Sequence, residues 1–255
     1  MTDKQQFPSE MIDLPSEGKL YPKDSPLSSG RLEIKYMTAK EEDILTSQNL
    51  LKKGLIVQKL LNSLIMTEGV RYEDLVIGDK NAIMVAARVL AYGPEYQTEV
   101  TNPATGEKIT HVFNLAECPF KKLPEGVVSN EFDMELPISK AKIKYKLLTG
   151  RDENIIDSEL NALKKINSQI IPELTTRLKH IITEVNGSSE QPIINNFVDN
   201  MLSRDSLHLR QSLMEIAPDI EMQQTIEIEG EQVKVHIPLT SDFFWPNSQP
   251  QIDNT

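Results

Sequence analysis

The chain has 255 residues, which is enough for one large domain or for two of about 100–150 residues. Asp and Glu outnumber Lys and Arg by 38 to 27, and the net charge of −11 disfavours binding to nucleic acid or to an anionic membrane surface. The single cysteine, Cys118, excludes a disulfide framework and a zinc site built on thiolates, and no segment approaches the ~20 apolar residues of a membrane-spanning helix.

The N-terminal segment is unusually rich in proline, with four prolines in residues 1–30. Proline at this density disfavours helix interiors and central strands. Apolar residues nonetheless lie between the prolines, so we predict that residues 1–30 form an extended arm that docks on a surface. A disordered leader is the alternative. The residues of the arm that we expect to contact a partner are Leu14, Pro15, Leu20 and Tyr21.

Residues 31–118 form the first predicted structural unit. Alternation of polar and apolar residues over 31–36 predicts a strand. Thr38 and Glu41 have the spacing of a capping box, in which the side chain of each residue accepts a hydrogen bond from the backbone N–H of the other. The remaining predicted elements are helices over 39–50 and 55–66, a helix that begins at Gly78-Asp79 and ends at Ala91–Pro94, and a hairpin with strands at 97–100 and 108–115.

A proline-containing linker, residues 119–130, separates this unit from a second one over residues 131–246. A polar tail follows at 247–255. The elements predicted for the second unit are strands at 132–136 and 142–148, a long helical stretch from 149 to about 185, a helix over 192–217, and a hairpin with strands at 224–229 and 231–237.

The two units repeat the same features in the same order. Capping boxes are common, so a chance likeness of two mixed units is the alternative, but four ordered matches with a slowly drifting offset favour duplication. We therefore predict a helix-rich α+β fold with two divergent copies of a strand–helices–β-hairpin unit. The matches are Ile34–Tyr36 with Ile143–Tyr145, Thr38–Leu45 with Thr149–Ile156, Asp79 with Asp205, and Gly106–Leu115 with Gly230–Leu239.

Catalytic and ligand-binding patterns are absent from the sequence. No two of the four histidines have the i, i+4 spacing of a helical metal site, Cys118 has no nearby base, and there is no glycine-rich phosphate loop. Carboxylates such as Glu41 and Asp152 are explained by their places at helix starts. We therefore expect no enzyme, catalytic residue, metal, cofactor or small-molecule substrate, with a hydrolase site assembled from distant residues as a remote alternative.

An aromatic cluster lies near the C-terminus. It holds the only tryptophan of the chain. Such a cluster either fills the protein's own core, which is the more common case, or anchors a partner. The candidate contact residues in this cluster are Phe243, Phe244, Trp245 and Pro246.

Several of these segments together resemble a known family. Residues 11–246 are similar to the baseplate hub and hub-assembly proteins of T-even-type contractile-tailed bacteriophages, and the Leu-Pro-Ser-x-Gly and Thr-Ala-Lys-Glu-Glu-Asp segments are the most specific parts. The segments that carry the resemblance are Leu14–Pro22, Met37–Leu45, Gly78–Met84, Ala91–Tyr96, Leu148–Glu153, Arg204-Asp205 and Pro238–Pro246.

The resemblance implies a non-enzymatic late protein of tail morphogenesis whose partners are other phage baseplate hub proteins. It would act as a chaperone-like assembly factor in the host cytoplasm, or it would remain in the virion tail baseplate as a permanent hub subunit. Many members of the family carry paired cysteines in the hairpin regions, suggestive of zinc knuckles. Here Val100–Gly106 and Ile226–Gly230 hold no cysteine, so zinc is not expected.

Overall fold

The computed structural model of the chain describes residues 7–102, 105–166, 171–228, 230–238 and 241–244. Helices and small antiparallel sheets alternate through these residues, which confirms the prediction of a helix-rich α+β fold. None of the helices in the described ranges has the length and apolar character needed to span a bilayer.

The first part of the chain is built from two hairpins that flank four helices. Its elements are β1 (Ser9–Asp13), β2 (Arg31–Lys35), α1 (Ala39–Thr46), α2 (Gln48–Lys53), α3 (Ile56–Leu64), α4 (Ile77–Tyr92), β3 (Glu95–Thr101) and β4 (Lys108–Asn114). The single helix predicted over 39–50 is wrong, because Ser47 ends α1 and its side chain accepts a hydrogen bond from the backbone N–H of Leu50, which begins α2.

The second part contains a three-stranded sheet covered by helices. Its elements are β5 (Phe120–Lys121), β6 (Phe132–Glu135), β7 (Lys142–Tyr145), α5 (Gly150–Ile166), α6 (Glu173–Ile181), β8 (Ile182–Val185), α7 (Gln191–Asp199), α8 (Ser203–Ile216), β9 (Asp219–Ile220), β10 (Gln223–Ile228) and β11 (Glu231–His236). The prediction that the helical stretch continues to 185 is wrong, because residues Ile182–Val185 form β8, which pairs with β7 and completes the sheet.

The N-terminal arm docks on the protein itself. Strand β1 pairs with β2 in an antiparallel register from Ser9–Lys35 to Asp13–Arg31. The loop between the strands is closed where the backbone N–H of Leu14 donates to the carbonyl of Gly30 at 2.9 Å. The arm is therefore part of the first sheet.

Two large hydrophobic cores fill the part of the molecule that the structure describes. The first core contains the first part of the chain. The second core contains β6–β8 and α5–α8. The C-terminal hairpin β10–β11 packs in the first core, because it covers the apolar face of β3–β4. The hairpin of the predicted second unit (131–246) thus packs with the first part of the chain, and the domain bounds stay a prediction. The C-terminal residues buried in the first core are Ile220, Met222, Ile226, Val235, Ile237, Phe243 and Phe244.

The two cores meet at close backbone contacts. A Cβ atom on Gly78 would lie 1.7 Å from the carbonyl oxygen of Pro218, and one on Gly150 would lie 2.5 Å from that of Tyr72. Only glycine permits these approaches. A small apolar cluster of Leu20, Val76 and Leu147 fills the junction, and side chains of the predicted linker pack against it.

Candidate functional site

The Leu-Pro-Ser loop of the arm is fixed by one buried carboxylate. Asp79, at the start of α4, is fully buried and accepts hydrogen bonds from the backbone N–H of Ser16 (2.9 Å), the Ser16 hydroxyl (2.6 Å) and the Tyr21 hydroxyl (2.6 Å). Burial raises the pKa of Tyr21, and the negative charge of Asp79 raises it further, so the hydroxyl remains protonated and donates. The carboxylate holds the loop at the positive end of the helix.

A second loop is held in the same way in the second part of the chain. Asp205, near the start of α8, is fully buried and accepts from the backbone N–H groups of Ile138 (2.8 Å) and Ser139 (3.0 Å). Burial opposes its ionisation, but these donors keep its pKa below the ordinary value. The sequence match between Asp79 and Asp205 therefore corresponds to a shared local arrangement. Duplication of the whole unit stays a prediction.

The helix starts that follow β2 and β7 also share an ion pair, which is buried in the first case and partly buried in the second. Lys35 Nζ lies 2.7 Å from Glu41 Oε1, and Lys146 Nζ lies 2.7 Å from Asp152 Oδ1. The backbone N–H of Thr38 donates to Glu41, as the predicted capping box requires. These carboxylates have structural partners, which agrees with their interpretation as helix starts.

His180 and Cys118 lie in surroundings that are typical of structural side chains. His180 Nε2 lies 3.1 Å from Glu159 Oε2 on the surface, and Cys118 is buried beside the side-chain amide of Gln224. Burial raises the pKa of the Cys118 thiol, which makes it a poor nucleophile. In the described part of the chain, no three His, Cys, Asp or Glu residues cluster closely enough to hold a metal ion.

Most of the predicted contact residues lie in the protein's own core. Leu14, Pro15 and Leu20 are buried, and Tyr21 is half-buried. Phe243 and Phe244 are buried with relative exposures of 1% and 7%, and the Phe243 ring meets the Tyr96 ring edge to face at 5.3 Å. Trp245 and Pro246 lie outside the described residues. Leu14, Leu20, Phe243 and Phe244 are therefore part of the protein's own core, whereas a role of any predicted contact residue in binding a partner stays a prediction.

The accessible feature beside the arm is a groove at the junction of the two cores, which we call the junction groove. It consists of two adjacent open depressions of about 430 and 540 Å³. Both depressions are lined by Tyr21, Pro22, Asp74 and Thr149. Sequence reasoning missed this groove, because its walls come from distant segments that only the tertiary fold brings together.

Another open depression, of about 640 Å³, lies on the outer face of the β6–β8 sheet. Its central cation, Lys144, lies 3.2 Å from Glu131 and 3.6 Å from Glu184. The lining of this depression has three carboxylates and two lysines, so its charges nearly balance.

Sequence comparison relates most of the chain to one protein family. A family model described as T4 bacteriophage base plate protein matches residues 9–245, a span that includes both cores and both anchored loops. No curated protein and no solved structure matches the chain.

Proposed function

The chain belongs to the T4 bacteriophage base plate protein family, and from this membership we propose that it acts in baseplate hub assembly as a chaperone-like, non-enzymatic factor. Its mechanism is binding to other baseplate hub proteins in the host cytoplasm. The observation that carries this proposal is the family match, which spans residues 9–245.

The character of the surface supports an assembly factor that releases its partner. A permanent subunit buries a large and mostly apolar interface, often more than about 2,000 Å². Here the apolar arm and the buried Phe243 and Phe244 are used in the protein's own core. The exposed large apolar side chains are spread over separate elements, for example Met11, Leu51, Val112, Ile193 and Met214. The net charge of −11 also keeps the protein away from the phage genome.

The experiment is quantitative mass spectrometry of purified virions and of infected-cell lysate from the source phage. We expect the protein in the lysate, in complex with baseplate hub proteins, and we expect it to be absent from virions. Baseplate proteins that remain in the virion, measured in the same samples, provide the internal standard for recovery.

The opposite result has an equally definite meaning. Detection in virions at a near-integer ratio to the baseplate standards would replace the assembly role with that of a permanent hub subunit. Absence from virions together with absence of any baseplate protein in its complexes would reject both roles.

A further inference from the structure

The floor of the junction groove is apolar and continuous with the junction between the cores. Leu20 and Val76 line the groove and belong to the small cluster that joins the two cores. The exposed ring of Pro22 lies between the two depressions, since it lines both. Leu20 and Val76 are only 5% and 2% exposed. The accessible apolar surface of the groove therefore comes from the exposed rings of Pro22 and Pro26 and the half-buried ring of Tyr21.

The walls of the groove are held rigidly by hydrogen bonds. The Tyr21 hydroxyl donates to Asp79 and accepts from the backbone N–H of Val76 at 3.1 Å. On the opposite side, the Asn130 side chain accepts from the backbone N–H of Leu147 (2.8 Å) and donates to its carbonyl (2.9 Å). Binding to such a pre-organised surface requires little ordering of the protein, which favours affinity.

The charges around the groove are mainly negative. Four carboxylates line it, and Arg151 is the one basic residue among the described lining residues. Arg151 is paired with Asp74 at 3.1 Å, and Glu131 is paired with Lys144, which lies outside the groove. Burial opposes the ionisation of Glu73, but hydrogen bonds from its own backbone N–H and from the side chains of Gln58 and Asn62 outweigh this and lower its pKa, so Glu73 is ionised at neutral pH. Within the described ranges, Asp24 and Glu73 have no cation within ion-pair distance.

We propose that the junction groove binds an extended, positively charged peptide segment of a partner protein. An open groove with an apolar floor suits a peptide chain, whereas small-molecule sites enclose most of the ligand surface. The acidic rim selects basic side chains and repels a phosphate backbone. This inference rests on the proposed function in one respect, because it takes the partner to be a baseplate protein.

The test uses an array of overlapping peptides that tile the baseplate proteins encoded by the same phage, probed with the full-length chain. We expect the bound peptides to be basic. The charge-reversal variant Asp24→Lys/Glu131→Lys should weaken binding of the best peptide by roughly tenfold or more, as measured by fluorescence anisotropy.

A matched control separates the groove from the overall charge. The variant Glu99→Lys/Glu215→Lys changes the net charge by the same amount at exposed positions outside the groove. Glu99 resembles Glu131 closely, since each is a surface carboxylate paired with one lysine, at 3.4 and 3.2 Å. We expect this control to bind the peptide with nearly wild-type affinity, and both variants to unfold at the wild-type temperature.

The outcomes distinguish the groove from the proposed function. Equal weakening by both variants, or selection of acidic peptides, would overturn the groove as the binding site. If no peptide binds although the full-length chain forms a complex with a baseplate protein in lysate, the proposed function stands and the groove inference fails. If the chain forms no such complex either, the proposed function fails with it.

Discussion

At the scale of single residues, buried carboxylates organise this protein. Asp79 and Asp205 each anchor a loop to the start of a helix, and Glu41 and Asp152 each pair with a lysine six positions earlier. A buried charge is costly unless it is paired and hydrogen-bonded. Glu41 and Asp152 are both paired and hydrogen-bonded, whereas Asp79 and Asp205 are held by hydrogen bonds alone. The four side chains therefore fix the positions of loops and helices.

Glu41 makes the stability of the protein depend on pH. Its burial raises the pKa, but hydrogen bonds from Lys35, Ser63 and Thr38 outweigh this and lower the pKa from 4.5 to about 2. Because the folded pKa lies below the unfolded one, the stabilisation is complete above pH 4.5 and is lost as the pH falls toward 2. We expect Glu41→Gln to lower the free energy of unfolding by about 3 kcal/mol at neutral pH and to flatten this pH dependence.

Urea unfolding at a series of pH values measures the effect. The neighbouring variant Glu42→Gln is the control, because Glu42 is exposed and should change the free energy by less than about 0.5 kcal/mol. If the free energy of unfolding of Glu41→Gln fell between pH 4.5 and 2 as steeply as that of the wild type, Glu41 would not be the source of the pH dependence.

At the scale of elements, the hairpins β3–β4 and β10–β11 depend on each other for stability. A two-stranded hairpin is marginal alone, and each hairpin here has one apolar face. Val100 and Phe113 of β3–β4 lie in one core with Ile226 and Val235 of β10–β11. The short 3-10 turn Ser241–Phe244 then closes the cluster. The aromatic end of the chain is therefore part of the sheet packing.

The substitution Phe243→Ala separates a core role from a contact role. Removing a ring that is 1% exposed should cost about 3–5 kcal/mol of stability, whereas a partner contact would leave stability unchanged. Phe120→Ala is the control, since that ring is 37% exposed and its loss should cost clearly less. Thermal and urea unfolding of both variants measure this difference, and equal unfolding midpoints for Phe243→Ala and the wild type would refute the core role.

At the scale of the whole molecule, the chain crosses between cores. It builds the first core, then the second, and returns through β9–β11 to complete the first. Strand β9 also pairs with β5, the first strand of the second part. The close contact of Gly78 with Pro218 lies where the chain returns. The first core is therefore incomplete until the C-terminal hairpin is in place.

Truncation after residue 218 should unfold the first core. Burial of each large apolar side chain contributes about 1.5–3 kcal/mol, so the loss of the C-terminal members of this core is at least comparable to the ~5–15 kcal/mol that stabilises a typical domain. Hydrogen exchange with mass spectrometry should show loss of protection in α3 and α4. Truncation after residue 246 removes only the predicted polar tail and should leave protection unchanged. Retained protection after the first truncation would mean that the first core folds without the hairpin.

The features that the sequence determined by itself are local ones. Thr38–Glu41 and Thr149–Asp152 mark helix starts because the atoms that bond lie within one helical turn. Alternating residues around short turns likewise identified the hairpins β3–β4 and β10–β11. The resemblance of several segments indicated the family for the same reason, since it depends only on the order of residues along the chain.

The tertiary structure alone decided which surfaces meet. Apolar periodicity shows that β3–β4 and β10–β11 each have a face to bury, but not that they bury these faces together. Strand β8 was hidden in a helical pattern because its pairing partner β7 lies far away in sequence. The junction groove has the same origin, since its residues Tyr21, Asp74 and Thr149 become neighbours only when the two cores pack, and long-range packing is set by the complementarity of whole surfaces.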